Sequence, residues 1–266
     1  EVMSNFFKKI TKSLFTYILI VGLSPYSSLG QDYKFNIFGD KEGICHPFVY
    51  TINQDLNGYI WIGTGEGLCR FNGFEFSKEV VTDELTRDVA SISYKDSKEH
   101  LWFGFNNGNI CKFDGFNFEI ISASEDNKSA ITDIIEIDDK ILLIATLNDG
   151  LIVIGENKEI KVYNGELKNK LIYSLNYING KLLLGSQEGL LIYDFKDYLS
   201  PPQFQHAIDE LAYTKIQVIK KCNNHEGFWL GTESDGVFYF ALDNNNSDTL
   251  FKIGETLDLA DINIQS

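Results

Sequence analysis

Short polar side chains recur at one place in this sequence, about forty residues apart: Glu66, Asn106 and Asn107, Asn148 and Asp149, Gln187 and Glu188, and Asp235. Amides and carboxylates of this kind hydrogen-bond without requiring a charged partner. Gathered on one surface, they suit a neutral, hydroxyl-rich ligand such as a sugar chain. His46 and Arg87 fall in neighbouring connecting segments and join them as candidate ligand-binding residues. Each of these positions also has a plainer reading, because such residues are ordinary turn formers.

Covalent and metal chemistry finds no comparable support. There is no G-x-S-x-G, no H-E-x-x-H and no phosphate-cradling glycine loop. His46, His100, His206 and His225 occupy unlike places in the pattern, which argues against a shared metal site. The acidic turn D-L-N-G-Y-I-W resembles the Asp-box of sialidases. That motif is structural there, and the two arginines present, Arg70 and Arg87, cannot build a three-arginine carboxylate site. Carboxylates are plentiful, but none is singled out for glycoside cleavage. The expectation is no catalytic residue, no metal and no cofactor.

The elements that position the candidates come from repetition. A strand segment with Trp61, Trp102, Leu143, Leu183 or Trp229 is followed two residues later by Gly63, Gly104, Ala145, Gly185 or Gly231. A turn-closing glycine follows at Gly67, Gly108, Gly150, Gly189 and Gly236. Steps of about 40 to 46 residues, with four short apolar runs per step and turn residues between them, predict an all-β β-propeller. The predicted blades span about 47–79, 88–121, 130–164, 170–208 and 213–254. One helical turn is expected near Ala207 to Ala212. The tryptophans read as wedges between blades, so the conspicuous residues hold the ring. The strand two-to-three turns and strand four-to-one links then carry the candidates on one face.

Both ends suggest a larger assembly. Tyr33 to Phe38 alternates like a closing fourth strand with no blade of its own. Residues 262 to 266 match the opening of a sixth blade. The expectation is an N-terminal part of a larger, about seven-bladed ring; a closed five-bladed ring is the alternative. Residues 1–30 read as a secretory signal, with Lys8, Lys9 and Lys12 before the apolar run Leu14 to Leu23 and small residues at Ser28 and Gly30. An exported domain follows from that reading.

The net charge of −15 excludes nucleic acid and anionic lipid as expected partners, since phosphate binding rests on Lys and Arg. Cys45, Cys69, Cys111 and Cys222 could pair in an exported protein. Cys69 and Cys111 recur in register, however, where later repeats hold Ile152, Leu191 and Phe238. They read as small core residues, and all four as free thiols.

The pattern D-x-N-G-x-I-W-I-G-T-x-x-G-L-x-R-F-N-G at Asp55 to Gly73 resembles the two-component regulator propeller repeat. It is close in the first unit, good in the second and fifth, and worn in the third and fourth, where the Trp is lost. That repeat builds the periplasmic sensor region of hybrid two-component systems and related histidine kinases of Bacteroidetes. The resemblance implies a non-catalytic ligand-sensing ectodomain, often for oligosaccharides. It also implies signalling as a homodimer, with membrane attachment and kinase in C-terminal parts. A secreted interaction scaffold is the alternative, and a propeller lyase or glycosidase a third reading.

Overall fold

The computed structural model describes residues 35–79, 81, 87–121, 128–138, 140–222, 227–242 and 248–253. The signal reading of residues 1–30, Tyr33 and Lys34, His225 and the opening of a sixth blade lie outside these. Two compact units divide the chain, Glu1–Ile37 and Phe38–Ser266. The described residues of the first, Phe35 to Ile37, belong to no strand, and neither does Phe38 in the second. This corrects the expected closing strand over the described part of Tyr33 to Phe38.

The second unit contains five four-stranded antiparallel sheets, each of consecutive strands. The first holds β1 (Val49–Gln54), β2 (Ile60–Thr64), β3 (Gly67–Phe71) and β4 (Phe76–Glu79). The second holds β5 (Ala90–Lys95), β6 (Leu101–Phe105), β7 (Ile110–Phe113) and β8 (Phe118–Ile121). The third holds β9 (Ile131–Ile137), β10 (Ile141–Thr146), β11 (Asp149–Ile154) and β12 (Ile160–Lys168). The fourth holds β13 (Ile172–Ile178), β14 (Lys181–Ser186), β15 (Gly189–Asp194) and β16 (Gln203–Ala207). The fifth holds β17 (Ile216–Lys221), β18 (Phe228–Thr232), β19 (Val237–Ala241) and β20 (Thr249–Lys252). These are propeller blades. The helical turn of the fourth unit is a 3-10 turn at Asp209–Leu211 that buries Leu211.

Packing between blades explains the sequence pattern. First strands of successive sheets lie against each other, β1 with β5, β5 with β9, β9 with β13 and β13 with β17. The second strands of the first four sheets also pack on the next sheet's first strand, which demands apolar side chains there. Unbroken apolar runs such as Leu142 to Ala145 and Leu182 to Leu184 satisfy that demand and are buried. The repeated glycine sits where the next blade's first strand passes. A methyl group on Gly63 would stand 2.5 Å from the Ala90 carbonyl oxygen, and one on Gly185 would stand 2.9 Å from that of Ile216.

Trp61 and Trp102 fill the wedges, as expected, and each is locked by the acid six residues earlier. The Trp61 indole N–H donates to Asp55 Oδ2 at 2.8 Å and that of Trp102 to Asp96 Oδ2 at 2.9 Å. The other oxygen of Asp55 accepts the backbone N–H groups of Asn57 and Tyr59, and that of Asp96 accepts those of Lys98 and His100. Trp229 is only half-buried, packing on Tyr239 with ring centroids 5.3 Å apart. Phe38 packs on Phe71 and Phe76, at 5.3 and 5.6 Å. It does for the first blade what Trp61 does for Phe113 and Phe118 of the second.

The cysteine reading is corrected in part. Cys111 and Cys222 are free, but Cys45 and Cys69 form a disulfide. Register places Cys69 correctly in the core. It misses that the segment entering β1 passes close enough to β3 to join Cys45 to Cys69, with Cα atoms 5.8 Å apart. Reduction is expected to lower stability by about 2 to 3 kcal/mol through the lost constraint on the unfolded chain. Urea unfolding with and without dithiothreitol measures it, and Cys45→Ser should remove the difference.

Candidate functional site

One hydrogen bond recurs in all five blades and defines the candidate face. The backbone N–H at the start of the second turn donates to the carbonyl of the link entering the same sheet. The pairs are Gly65 to Phe48, Asn106 to Val89, Leu147 to Ala130, Gln187 to Leu171 and Glu233 to Lys215, at 2.8 to 3.1 Å. Turns and links therefore share one end of every sheet. Further bonds stitch three of the turns to the link of the next blade: Gly67 N–H to Asp88 O, Asn169 N–H to Asn148 O, and Tyr213 N–H to Glu188 O.

A hydroxyl fixes the acidic residue at this end. Thr64, Thr146, Ser186 and Thr232 each donate their hydroxyl to the carbonyl of the turn-closing glycine, Gly67, Gly150, Gly189 or Gly236. Each hydroxyl accepts a backbone N–H in return, from Glu66, Asp149, Glu188 or Asp235 at 2.9 to 3.1 Å. The closing glycines have φ between 82° and 112°, which side-chain-bearing residues adopt with strain. Four blades thus fix a carboxylate-bearing residue with the same hydroxyl device, in a turn of one length at Glu66 and Glu188 and one residue longer at Asp149 and Asp235. The second blade has Phe105 at the hydroxyl position, and Asn107 closes its turn by accepting the Asn109 N–H at 3.0 Å. The hydroxyl at Thr64 and its counterparts is visible in the sequence, but its role was not read there.

The remaining candidates group around these turns. The His46 ring lies over Gly65, and its Nδ1 accepts the Phe48 N–H at 3.2 Å. Lys78 donates to Glu66 at 3.0 Å. Lys78 above all, with His46 and Arg87 adding to it, holds the Glu66 carboxyl below the usual range. Arg87 is exposed, and Asn107 donates its amide to Asp88. Lys170 pairs with Glu188, and Gln187 accepts the Tyr173 hydroxyl at 3.2 Å. Asn106, Asn148, Gln187, Glu188 and Asp235 are exposed, whereas Asn107 and Asp149 are half-buried.

Sequence reasoning missed a second device. Each first strand carries an irregularity at the same point, skipping Tyr50, Ser91, Thr132, Tyr173 and Gln217. A bulged residue is re-aimed relative to the alternation of its strand. Ser91 and Thr132 turn their hydroxyls back onto backbone carbonyls. Tyr50 stays exposed, and Tyr173 holds the Lys215 ammonium 4.6 Å from its ring centre. Deeper on the first strand of the third blade, Asp133 accepts the N–H groups of Leu175 and Ile134 at 3.0 and 2.9 Å. Burial pushes its carboxyl up to about 6. Among the described residues, no group of three His, Cys, Asp or Glu side chains can hold a metal ion. No helix among them is long and apolar enough to cross a membrane.

No family model and no curated protein matches the chain. Solved structures do match. The extracellular domain assigned to a hybrid two-component system of B. thetaiotaomicron aligns with 20% identity and a TM-score of 0.65, over 80% of this chain and 31% of that one. An extracellular domain assigned to a one-component system of the same organism aligns with 17% identity and a TM-score of 0.57, over 77% of this chain and 27% of that one. Virginiamycin B lyase from Staphylococcus aureus aligns with 16% identity and a TM-score of 0.58, over 79% of this chain and 71% of that one. The chain thus spans less than a third of the two extracellular domains, and what it shares with all three is the β-propeller fold.

Proposed function

We propose that this chain is an exported, non-catalytic ligand-sensing propeller of a two-component sensor, and that it reads a neutral oligosaccharide on the turn face. The observation that carries the proposal is the repeated hydroxyl-fixed turn. It fixes Glu66, Asp149, Glu188 and Asp235 at the same end of four blades, with Glu66, Glu188 and Asp235 exposed. The amides Asn106, Asn148 and Gln187 stand exposed beside those turns. A rigid rim of acceptors and amides matches the alternating hydroxyls of a sugar chain, and tyrosines of the bulged positions add ring faces. The likeness in fold to extracellular sensor domains supports the sensing role. In this reading, kinase, membrane attachment and dimerisation belong to the longer protein.

Calorimetric titration with a panel of neutral oligosaccharides tests the reading. At least one should bind, and Gln187→Ala with Glu188→Ala should weaken it about tenfold or more. The thermal midpoint should stay unchanged, because both side chains are exposed. Silence across the panel, or turnover of any sugar, would overturn it.

A further inference from the structure

The link entering the fifth blade repeats a turn of the link entering the fourth, with one unlike residue. Leu167 and Leu211 are buried anchors. Each accepts the backbone N–H three residues on, from Lys170 at 3.2 Å and from Thr214 at 2.9 Å. The third residue of each turn lies in the left-handed region, Asn169 with φ 64° and Tyr213 with φ 65°. Each donates its N–H to the second turn of the preceding blade, Asn169 to the Asn148 carbonyl at 2.7 Å and Tyr213 to that of Glu188 at 3.3 Å. Ala212, with φ −55° and ψ 128°, supplies the second residue of a type II turn. Such a turn demands positive φ at its third residue, which asparagine accepts and a bulky side chain resists.

Tyrosine at this position therefore strains the backbone where the equivalent turn does not, and packing does not offset the strain. The Tyr213 side chain is 90% exposed, with no hydrogen bond or ring contact among the described residues. The turn that its N–H meets carries Gln187 and Glu188, both exposed. Tyr173 donates its hydroxyl to Gln187 Oε1 at 3.2 Å, but the Lys215 ammonium stands 4.6 Å from the centre of the Tyr173 ring. Tyr213 thus adds an open ring face beside an amide and a carboxylate. Backbone strain kept at an exposed residue points to a role outside the fold.

We propose that Tyr213 is a specificity-determining platform on which a pyranose ring of the oligosaccharide stacks, beside Gln187 and Glu188. The inference rests on the sugar-sensing reading and adds the class of ring. A pyranose chair lays a flat row of C–H groups on an aromatic face while its hydroxyls project at the edge. Those hydroxyls meet Gln187 Nε2 as donor and Glu188 Oε1 as acceptor, because Tyr173 and Lys170 occupy the other atoms of the two groups. A furanose ring presents no such flat face.

The test is calorimetric titration of the full chain with xylohexaose, cellohexaose and galactohexaose, built of pyranoses, and with arabinohexaose, built of furanoses. At least one pyranose chain should bind about tenfold or more tightly than arabinohexaose. Tyr213→Asn, which installs the residue of the equivalent turn, should weaken that chain about tenfold and raise the thermal midpoint by about 2 °C or more. Tyr213→Phe keeps the ring and the strain, so it should hold binding within about twofold of wild type and leave the midpoint unmoved. Binding that Tyr213→Asn leaves unweakened, a midpoint that it does not raise, or arabinohexaose binding as tightly as the pyranose chains would each overturn the platform alone. Silence from the three pyranose chains would also overturn it, and silence from all four sugars would take the sensing reading with it.

Discussion

Asp55→Ala should unfold about 4 kcal/mol more easily than the wild type, a drop of about 10 °C in thermal midpoint for a chain of this size. The carboxylate is 5% exposed and accepts three hydrogen bonds, from Asn57, Tyr59 and the Trp61 indole. Its removal loosens the turn and leaves the indole N–H of a 1%-exposed tryptophan without a partner. Hydrogen bonds to a charged group contribute about 1.5 to 3 kcal/mol, and an orphaned buried donor costs about 1 to 3. Urea and thermal unfolding of the variant measure the loss; a change under about 1 kcal/mol would sink the clamp.

Asp96 carries the same clamp and adds a pH signature. Burial opposes its ionisation most strongly, but hydrogen bonds from Trp102 and His100 together outweigh it and hold the carboxyl below its ordinary 3.8. The folded value lies below the unfolded one, so this stabilisation is present above the unfolded pKa and is lost as pH falls through the folded one. Asp96→Asn should therefore be less stable near neutrality and show a flatter loss on acidification below about pH 4.

Gly63→Val should cost about 3 to 4 kcal/mol, above the usual overpacking penalty. The new Cβ would stand 2.5 Å from the Ala90 carbonyl oxygen, and a main-chain carbonyl cannot rotate aside as a side chain can. The fifth blade provides the contrast. At Gly231 the nearest atom is the Val218 Cβ at 3.4 Å, so Gly231→Ala should stay within about 1 kcal/mol of wild type. Matched urea titrations compare the two, and equal penalties would show that the glycine serves its own strand instead of the neighbouring blade.

These residues show what was legible in the chain. The forty-residue step carried the blades because glycine, tryptophan and turn recur together, as at Trp61, Gly63 and Gly67. The acid-to-indole bond was readable in principle, since Asp55 to Trp61 and Asp96 to Trp102 share one spacing. The bulges at Tyr50 and Tyr173 were not, because one unpaired residue inside a strand leaves apolar alternation almost unchanged. Cys45 was misread because register arguments describe repeats, and the segment before β1 belongs to none. Phe38 was misread similarly: its spacing suggested a strand, but packing uses its ring as a wedge on Phe71 and Phe76. On the turn face, sequence named the acidic residues but not the hydroxyls that fix them.

Every sheet is closed by four strands that follow one another, with none borrowed from a distant segment. Each blade can therefore complete its ladder as soon as its own stretch of chain is released, before any later blade exists. The loop-closure cost of every sheet is short-range, and later steps add only blade-on-blade docking. Unfolding should be correspondingly graded, with neighbouring blades protecting one another like links in a one-dimensional array. Hydrogen exchange on this chain would register that gradient as slow amides at β5 to β16, whose sheets each pack between two described sheets, and faster ones at β1 to β4 and β17 to β20, whose sheets each pack on one.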